Sequence, residues 1–201
     1  MKRMAMVFCV IVVTLVLFQA PAKAQFGIYG GVALPVGDFA STDAKTGAGR
    51  ALLGFGGGLE YNLSIPALPI GWATSISATY NSVDVGSAKG VEYTPWLGIW
   101  PMTGVRVSVP AFPLYAQLQA GVLIGIAPEI TQTIGTQKTT YKADPAGAFG
   151  FSAGVGAGIG PVKIFARYMS GEPEFEYKFG SASEKSKQVM SVILITVGIE
   201  L

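Results

Sequence analysis

The chain has 201 residues, half of them hydrophobic, with 27 glycines, one cysteine and no histidine. That length suits one domain. The missing histidine removes the usual general base and transition-metal ligand, and a lone cysteine permits no internal disulfide. Fourteen basic against 12 acidic residues give a formal charge of +2, with no basic patch or stripe of the kind a nucleic-acid partner needs.

Lys2 and Arg3 open the chain as a short positive region. Residues 4–18 are then apolar apart from Cys9 and Thr14, and Ala22-Lys23-Ala24 gives the small-x-small pattern of a signal peptidase site. The expectation is a cleaved signal peptide over residues 1–24 and a mature chain over 25–201. An uncleaved anchor would need a spanning run of about 20 residues, and this one is shorter. Cys9 lies inside the apolar run behind Val7 and Phe8, where a lipoprotein signal would carry small residues. Cleavage would remove Lys2, Arg3 and Lys23, leaving 11 basic and 12 acidic residues, a charge of −1.

The mature chain alternates apolar with small or polar residues at period two, the strand period. A first strand is expected near residues 26–34, with Phe26, Ile28, Val32 and Leu34 on one face and Tyr29 on the other. After a polar loop over 35–50, a second strand spans 53–64. Leu53, Phe55, Leu59 and Tyr61 alternate there with Gly54, Gly56, Gly58 and Glu60. A link with Pro66 and Pro69 leads to a third strand over 72–82. Its Trp72, Ile76 and Tyr80 oppose Ser75, Ser77, Thr79 and Asn81. A loop over 83–90 follows.

A fourth strand lies within 91–109, with Val105, Val107 and Val109 opposite Arg106 and Ser108. The prolines and tryptophans at Pro95, Trp96, Trp100 and Pro101 predict a bulge or bend in its first half. A proline turn over 110–113 precedes a fifth strand over 114–126, with Leu114, Leu118, Val122 and Ile124 outward and Tyr115, Gln117 and Gln119 inward. A Thr-, Gln- and Lys-rich loop over 127–145 leads to a sixth strand over 148–159. The turn Gly160-Pro161 leads to a seventh strand from Val162, with Lys163 and Arg167 inward. A charged stretch over 171–187 precedes the eighth strand, 189–201.

Eight strands joined by alternating short turns and long loops, with an apolar outer face and a small or polar inner one, predict an all-β, eight-stranded antiparallel up-and-down transmembrane β-barrel. The charges fit that pattern. Of the 23 expected in the mature chain, 18 fall in the four long loops, and the other five (Glu60, Arg106, Lys163, Arg167 and Glu200) share the inward parity of their strands. A lysine or arginine facing lipid near the bilayer centre costs about 2–4 kcal/mol.

With its Ala-Lys-Ala signal end, its opening Gly-Ile-Tyr-Gly-Gly-Val-Ala-Leu-Pro-Val-Gly-Asp-Phe over 27–39 and its last strand over 191–201, the chain resembles the outer-membrane β-barrel domain family of Gram-negative bacteria, the small OmpA/OmpX-like barrels. The resemblance covers the mature chain through a shared pattern more than through invariant residues. It implies residence in the outer membrane, outer-membrane lipids as partners, and reading of the C-terminal strand by the barrel-assembly machinery. Many relatives end in an aromatic residue where this chain has Leu201. No peptidoglycan-binding domain is expected after the barrel.

Two motifs suggest chemistry and lack its context. Gly150-Phe151-Ser152-Ala153-Gly154 has the spacing of a nucleophile elbow, which requires a strand-to-helix turn and a histidine partner. The glycine runs at 54–58 and 154–160 lack the spacing and the following Lys-Ser/Thr of a phosphate loop. No catalytic residue, cofactor or metal ligand is assigned.

The inward charges Glu60, Arg106, Lys163, Arg167 and Glu200 form one candidate site. They would be either an ion-pair network plugging a narrow barrel or a gated ion path. In the fourth loop, Glu172, Glu174, Phe175, Glu176 and Tyr177 form the other. It would be a solvated hairpin, or an exposed edge that binds an extracellular protein by strand addition or cations by its carboxylates. The functional expectation is a non-enzymatic integral outer-membrane protein, structural or surface-interacting. A small porin-like channel and a periplasmic small-ligand-binding barrel are the alternatives. The last would need polar residues outside and apolar ones inside.

Overall fold

A computed structural model describes residues 23–43, 49–65, 68–86, 90–179 and 182–201. Residues 1–22 of the expected signal, Pro66 and the loop residues Lys45 and Lys89 lie outside the described residues. The strands are β1 (Lys23–Pro35), β2 (Ala51–Ser64), β3 (Ile70–Val83), β4 (Val91–Tyr93), β5 (Trp96–Ser108), β6 (Leu114–Ile126), β7 (Ile130–Ile134), β8 (Gln137–Tyr141), β9 (Ala146–Ile159), β10 (Val162–Gly171), β11 (Glu174–Phe179), β12 (Ala182–Lys187) and β13 (Met190–Glu200). Eight of them close into a barrel in the order β1-β13-β10-β9-β6-β5-β3-β2, with antiparallel neighbours throughout. Closure leaves no free edge and pairs the backbone polar groups between strands, as a bilayer demands. No described helix is long and apolar enough to cross a membrane.

Alternation assigns the two faces. Phe26, Ile28, Phe55, Trp72, Leu118, Val155 and Ile199 stand exposed on the outside, while Ser75, Ser77, Thr79, Gln117, Gln119 and Thr196 are buried within. Aromatic residues gather at both ends of the outer face. Phe26, Tyr61 and Trp72 lie toward the short turns, and Phe55 and Tyr80 lie toward the long loops, their rings stacked at 4.7 Å. An apolar belt between aromatic girdles is the surface a barrel presents to lipid, and this barrel is of that transmembrane type. A polar-outside, apolar-ligand barrel is incompatible with it.

The short turns are tight. Val109 N–H donates to Leu114 O at 2.8 Å and Phe112 N–H to Val109 O at 3.2 Å, and Ala111 takes a positive φ of 65° to close the reversal. Gly160, at φ 60°, makes the β9–β10 turn.

Two local features depart from the sequence reading. Of the bulge or bend expected in the first half of 91–109, no bulge occurs in β5. The chain instead breaks at Thr94-Pro95, and β5 then holds one register against β3, from Trp96 opposite Asn81 to Val107 opposite Ile70. On its other side the β5–β6 ladder skips Trp100 and Pro101, which accommodates a residue with no N–H. The irregularity sits in β2, where the register against β3 shifts between Ala51 and Gly54. That shift turns Leu52 and Leu53 outward together, and Asn81 Nδ2 donates to the carbonyls of Leu52 (2.9 Å) and Ala33 (3.1 Å).

The second departure concerns the long loops, which carry sheet of their own. β4, β7 and β8 form a three-stranded sheet, and β11 with β12 form a hairpin joined to it through the bridge between Ala143 and Tyr177.

Candidate functional site

The barrel interior has two unlike halves. Toward the short turns, strand register assembles the acidic side chains. Gly27 on β1 pairs with Glu60 on one side and Glu200 on the other, so two carboxylates flank a residue with no side chain. Asn62, one inward position further along β2, donates from Nδ2 to Glu60 Oε1 at 2.9 Å and to Glu200 Oε1 at 2.8 Å. Cations arrive from other strands. Arg106 on β5 lies 3.0 Å from Glu200 Oε1 and 3.9 Å from Glu60 Oε1, and Lys163 on β10 lies 2.6 Å from Glu200 Oε2. Arg167, also on β10, lies 3.3 Å from Glu60 Oε2. Gln117 Nε2 completes that carboxylate at 3.0 Å.

Rings support the cations. The Arg106 guanidinium sits 3.8 Å above the Tyr115 ring, and that of Arg167 lies 4.8 Å from the Tyr29 ring and 4.4 Å from the Phe165 ring. These arrangements ease the desolvation of buried charge. Glycines make the space: a Cβ on Gly156 would overlap the Tyr115 ring and one on Gly158 the Lys163 side chain. Glu60, Arg106, Arg167 and Glu200 are buried, and only Lys163, with 24% of its side chain exposed, reaches toward solvent. The cavity left among them is about 30 Å³, room for one or two waters.

Toward the loops the interior is apolar, where alternation alone predicts a small or polar lining throughout. Trp100, Leu123, Met169, Val192 and Leu194 are all at 0% exposure. Above them Phe39, Trp96 and Phe175 close the mouth, with ring centroids 5.6 Å apart from Phe39 to Trp96 and from Trp96 to Phe175. The inward parity that marks Arg106 also marks Trp96, Trp100 and Met102, so the apolar half carried a signal. Its residues are indistinguishable from lipid-facing ones by hydropathy, and only their register gives them away.

The second candidate group divides. Glu172 and Glu174 are exposed, Glu174 pairing with Lys185 at 3.3 Å, whereas Phe175 is fully buried against Trp96. Glu176 and Tyr177 are half-buried. Burial raises the Tyr177 hydroxyl above its ordinary pKa, and the hydrogen bond to Asp144 does the same for the Lys178 ammonium. The hairpin's aromatic face therefore serves the barrel mouth, leaving its acidic face outward. Ser152, at the centre of the elbow-like motif, sits mid-strand in β9 and buried. Among the described residues no three His, Cys, Asp or Glu side chains gather to hold a metal.

No family model and no curated protein matches the sequence. Solved structures do match the fold. The crystal structure of Ail, the attachment invasion locus protein of Yersinia pestis, aligns over 89% of this chain and 99% of its own at 14% identity, with a TM-score of 0.55. That of the outer membrane protein OprG from Pseudomonas aeruginosa aligns over 90% and 97% at 11% identity, with a TM-score of 0.53. The chain thus has the fold of the small eight-stranded barrels of Gram-negative outer membranes.

Proposed function

We propose that this chain is a non-enzymatic integral outer-membrane protein whose closed, filled barrel is a rigid base for its outward loops. The observation that carries the reading is the double filling of the interior, an ion-paired plug at the turn side and an apolar plug at the loop side. The apolar belt and the fold likeness support an outer-membrane location, and the full absence of histidine from the sequence weighs against hydrolytic chemistry. The partners implied are outer-membrane lipids around the belt, the barrel-assembly machinery at β13, and a surface partner at the loops. Planar-bilayer recording of the refolded protein, with insertion verified by protease protection, tests this. Silence is expected, and discrete reproducible steps would overturn it in favour of a narrow ion path through the five charges.

A further inference from the structure

We propose that the loop-side mouth holds a binding site for a small carboxylate carried on a ring. This goes beyond the reading above and does not depend on whether the barrel conducts. A recess of about 450 Å³ opens between the first loop, the β4–β7 sheet and the β11–β12 hairpin, lined by Arg50, Tyr93, Trp96, Ile130, Tyr177 and Ser186, with one acid, Glu184, also on its wall. That volume lies in the range of small-ligand sites, and an apolar, aromatic wall with a few convergent polar groups is their usual composition.

Arg50 is the cation among the lining residues. Its φ of 50° is the left-handed conformation that residues other than glycine rarely adopt, and the surroundings hold it there. Gly49 N–H donates to Asp38 O at 3.0 Å, and Gly49 O accepts from Trp96 Nε1 at 2.8 Å. Arg50 N–H donates to Ser41 O at 3.0 Å, and Arg50 O accepts from Asp84 N–H at 2.8 Å. Gly86, at φ 57°, leaves space for the guanidinium, because a Cβ there would crowd Arg50 Nη2.

Yet the side chain on this fixed backbone has no ion-pair partner among the described residues. Its Nε is buried with no hydrogen-bond partner, and among the described residues no carboxylate lies within ion-pair distance of it. In the interior network, by contrast, both arginines have carboxylates. A half-buried guanidinium on a fixed backbone, with no carboxylate partner among the described residues, suits a planar oxyanion met by its outer nitrogens. The half-buried Tyr93 and Tyr177 beside it, over the buried Trp96, offer aromatic surface to a ring with a polar edge. The shared chemistry is a ring carboxylate. A hydroxylated ring would draw on Ser186 and its polar neighbours at the rim, and an aromatic ring on Ile130 and the tyrosines.

The test is calorimetric titration of the full protein in bilayer nanodiscs with glucuronate, benzoate, glucose and sulfate. At least one of the two ring carboxylates is expected to bind saturably, with glucose about tenfold weaker or worse for want of the charge-assisted bond. The better of the two identifies the ring type. Arg50→Gln keeps the backbone demand and removes the guanidinium, and is expected to weaken binding by about tenfold or more. Ser186→Phe, on the exposed hairpin strand, should block the recess while leaving the barrel folded, and so covers the case in which Arg50→Gln fails to fold. The proposal is overturned if neither ring carboxylate saturates, if the folded Arg50→Gln binds as well as the parent, or if sulfate binds equally and Ser186→Phe leaves all binding unchanged.

Discussion

The turn-side and loop-side halves of the barrel share one backbone, one alternation and one lipid-facing surface, yet they are filled by opposite means. The lower half joins Glu60, Glu200, Arg106, Arg167 and Lys163 into a network in which each buried charge has a partner, and the upper half packs Trp100, Leu123, Met169 and Leu194 with no exposure at all. Lipid fixes the outer face, because a misplaced charge there is costly. Nothing comparable fixes the inner face. It can be polar or apolar provided every polar group is satisfied and little void remains. The two halves should therefore fail differently when broken.

The largest effect is expected from Glu60→Met. It strips Arg167 of its one carboxylate among the described residues and Gln117 of its acceptor, and unpairing a buried charge costs about 3–5 kcal/mol. Urea unfolding in lipid vesicles measures it. Combining Glu60→Met with Arg167→Met should cost less than the single change, because no orphan charge is left. Additive losses would show that the network does not act as a unit.

Leu194→Ala in the upper half should cost about 3 kcal/mol by leaving a cavity, and no second apolar substitution nearby should restore it. Lys163→Met is a smaller break of the lower half. Its side chain is partly exposed and Glu200 keeps Arg106, so the loss should be about 1 kcal/mol. The smallest effect concerns the cap. Because burial raises the Tyr177 pKa, the hairpin's share of stability from the neutral phenol is fully present below pH 10 and is lost as pH rises through the raised value. Amide exchange in β11 and β12 should quicken there while that of the barrel strands stays slow.

Much of this was legible in the sequence, and the limits are physical. Strand positions and the inward parity of the five charges follow from alternation, since lipid penalises any other arrangement. The pairing of Glu60 and Glu200 across Gly27 depends on register between β2, β1 and β13, which a single sequence does not encode locally. The proline-rich stretch predicted a bulge or bend; the strand breaks there at Thr94-Pro95 and the β5–β6 ladder skips Trp100 and Pro101, while the register shift lies in the unremarkable start of β2. Phe175 alternates with acids as a solvated edge strand would, and only the loop fold shows that its ring meets Trp96. In the sequence Arg50 is one charge of the first long loop, and nothing sets it apart there, because the partners of Gly49 and Arg50 at Asp38, Ser41, Asp84 and Trp96 come from the fold.

Two plugs in series close the barrel. The most direct measurement is conductance across planar bilayers of four proteins: the parent, Arg167→Ser, Trp100→Ala and the double variant. Silence is expected from the parent and from each single variant, since the intact half still blocks, and discrete steps from the double variant alone. Conductance in the parent, or in either single variant equal to that of the double, would contradict it.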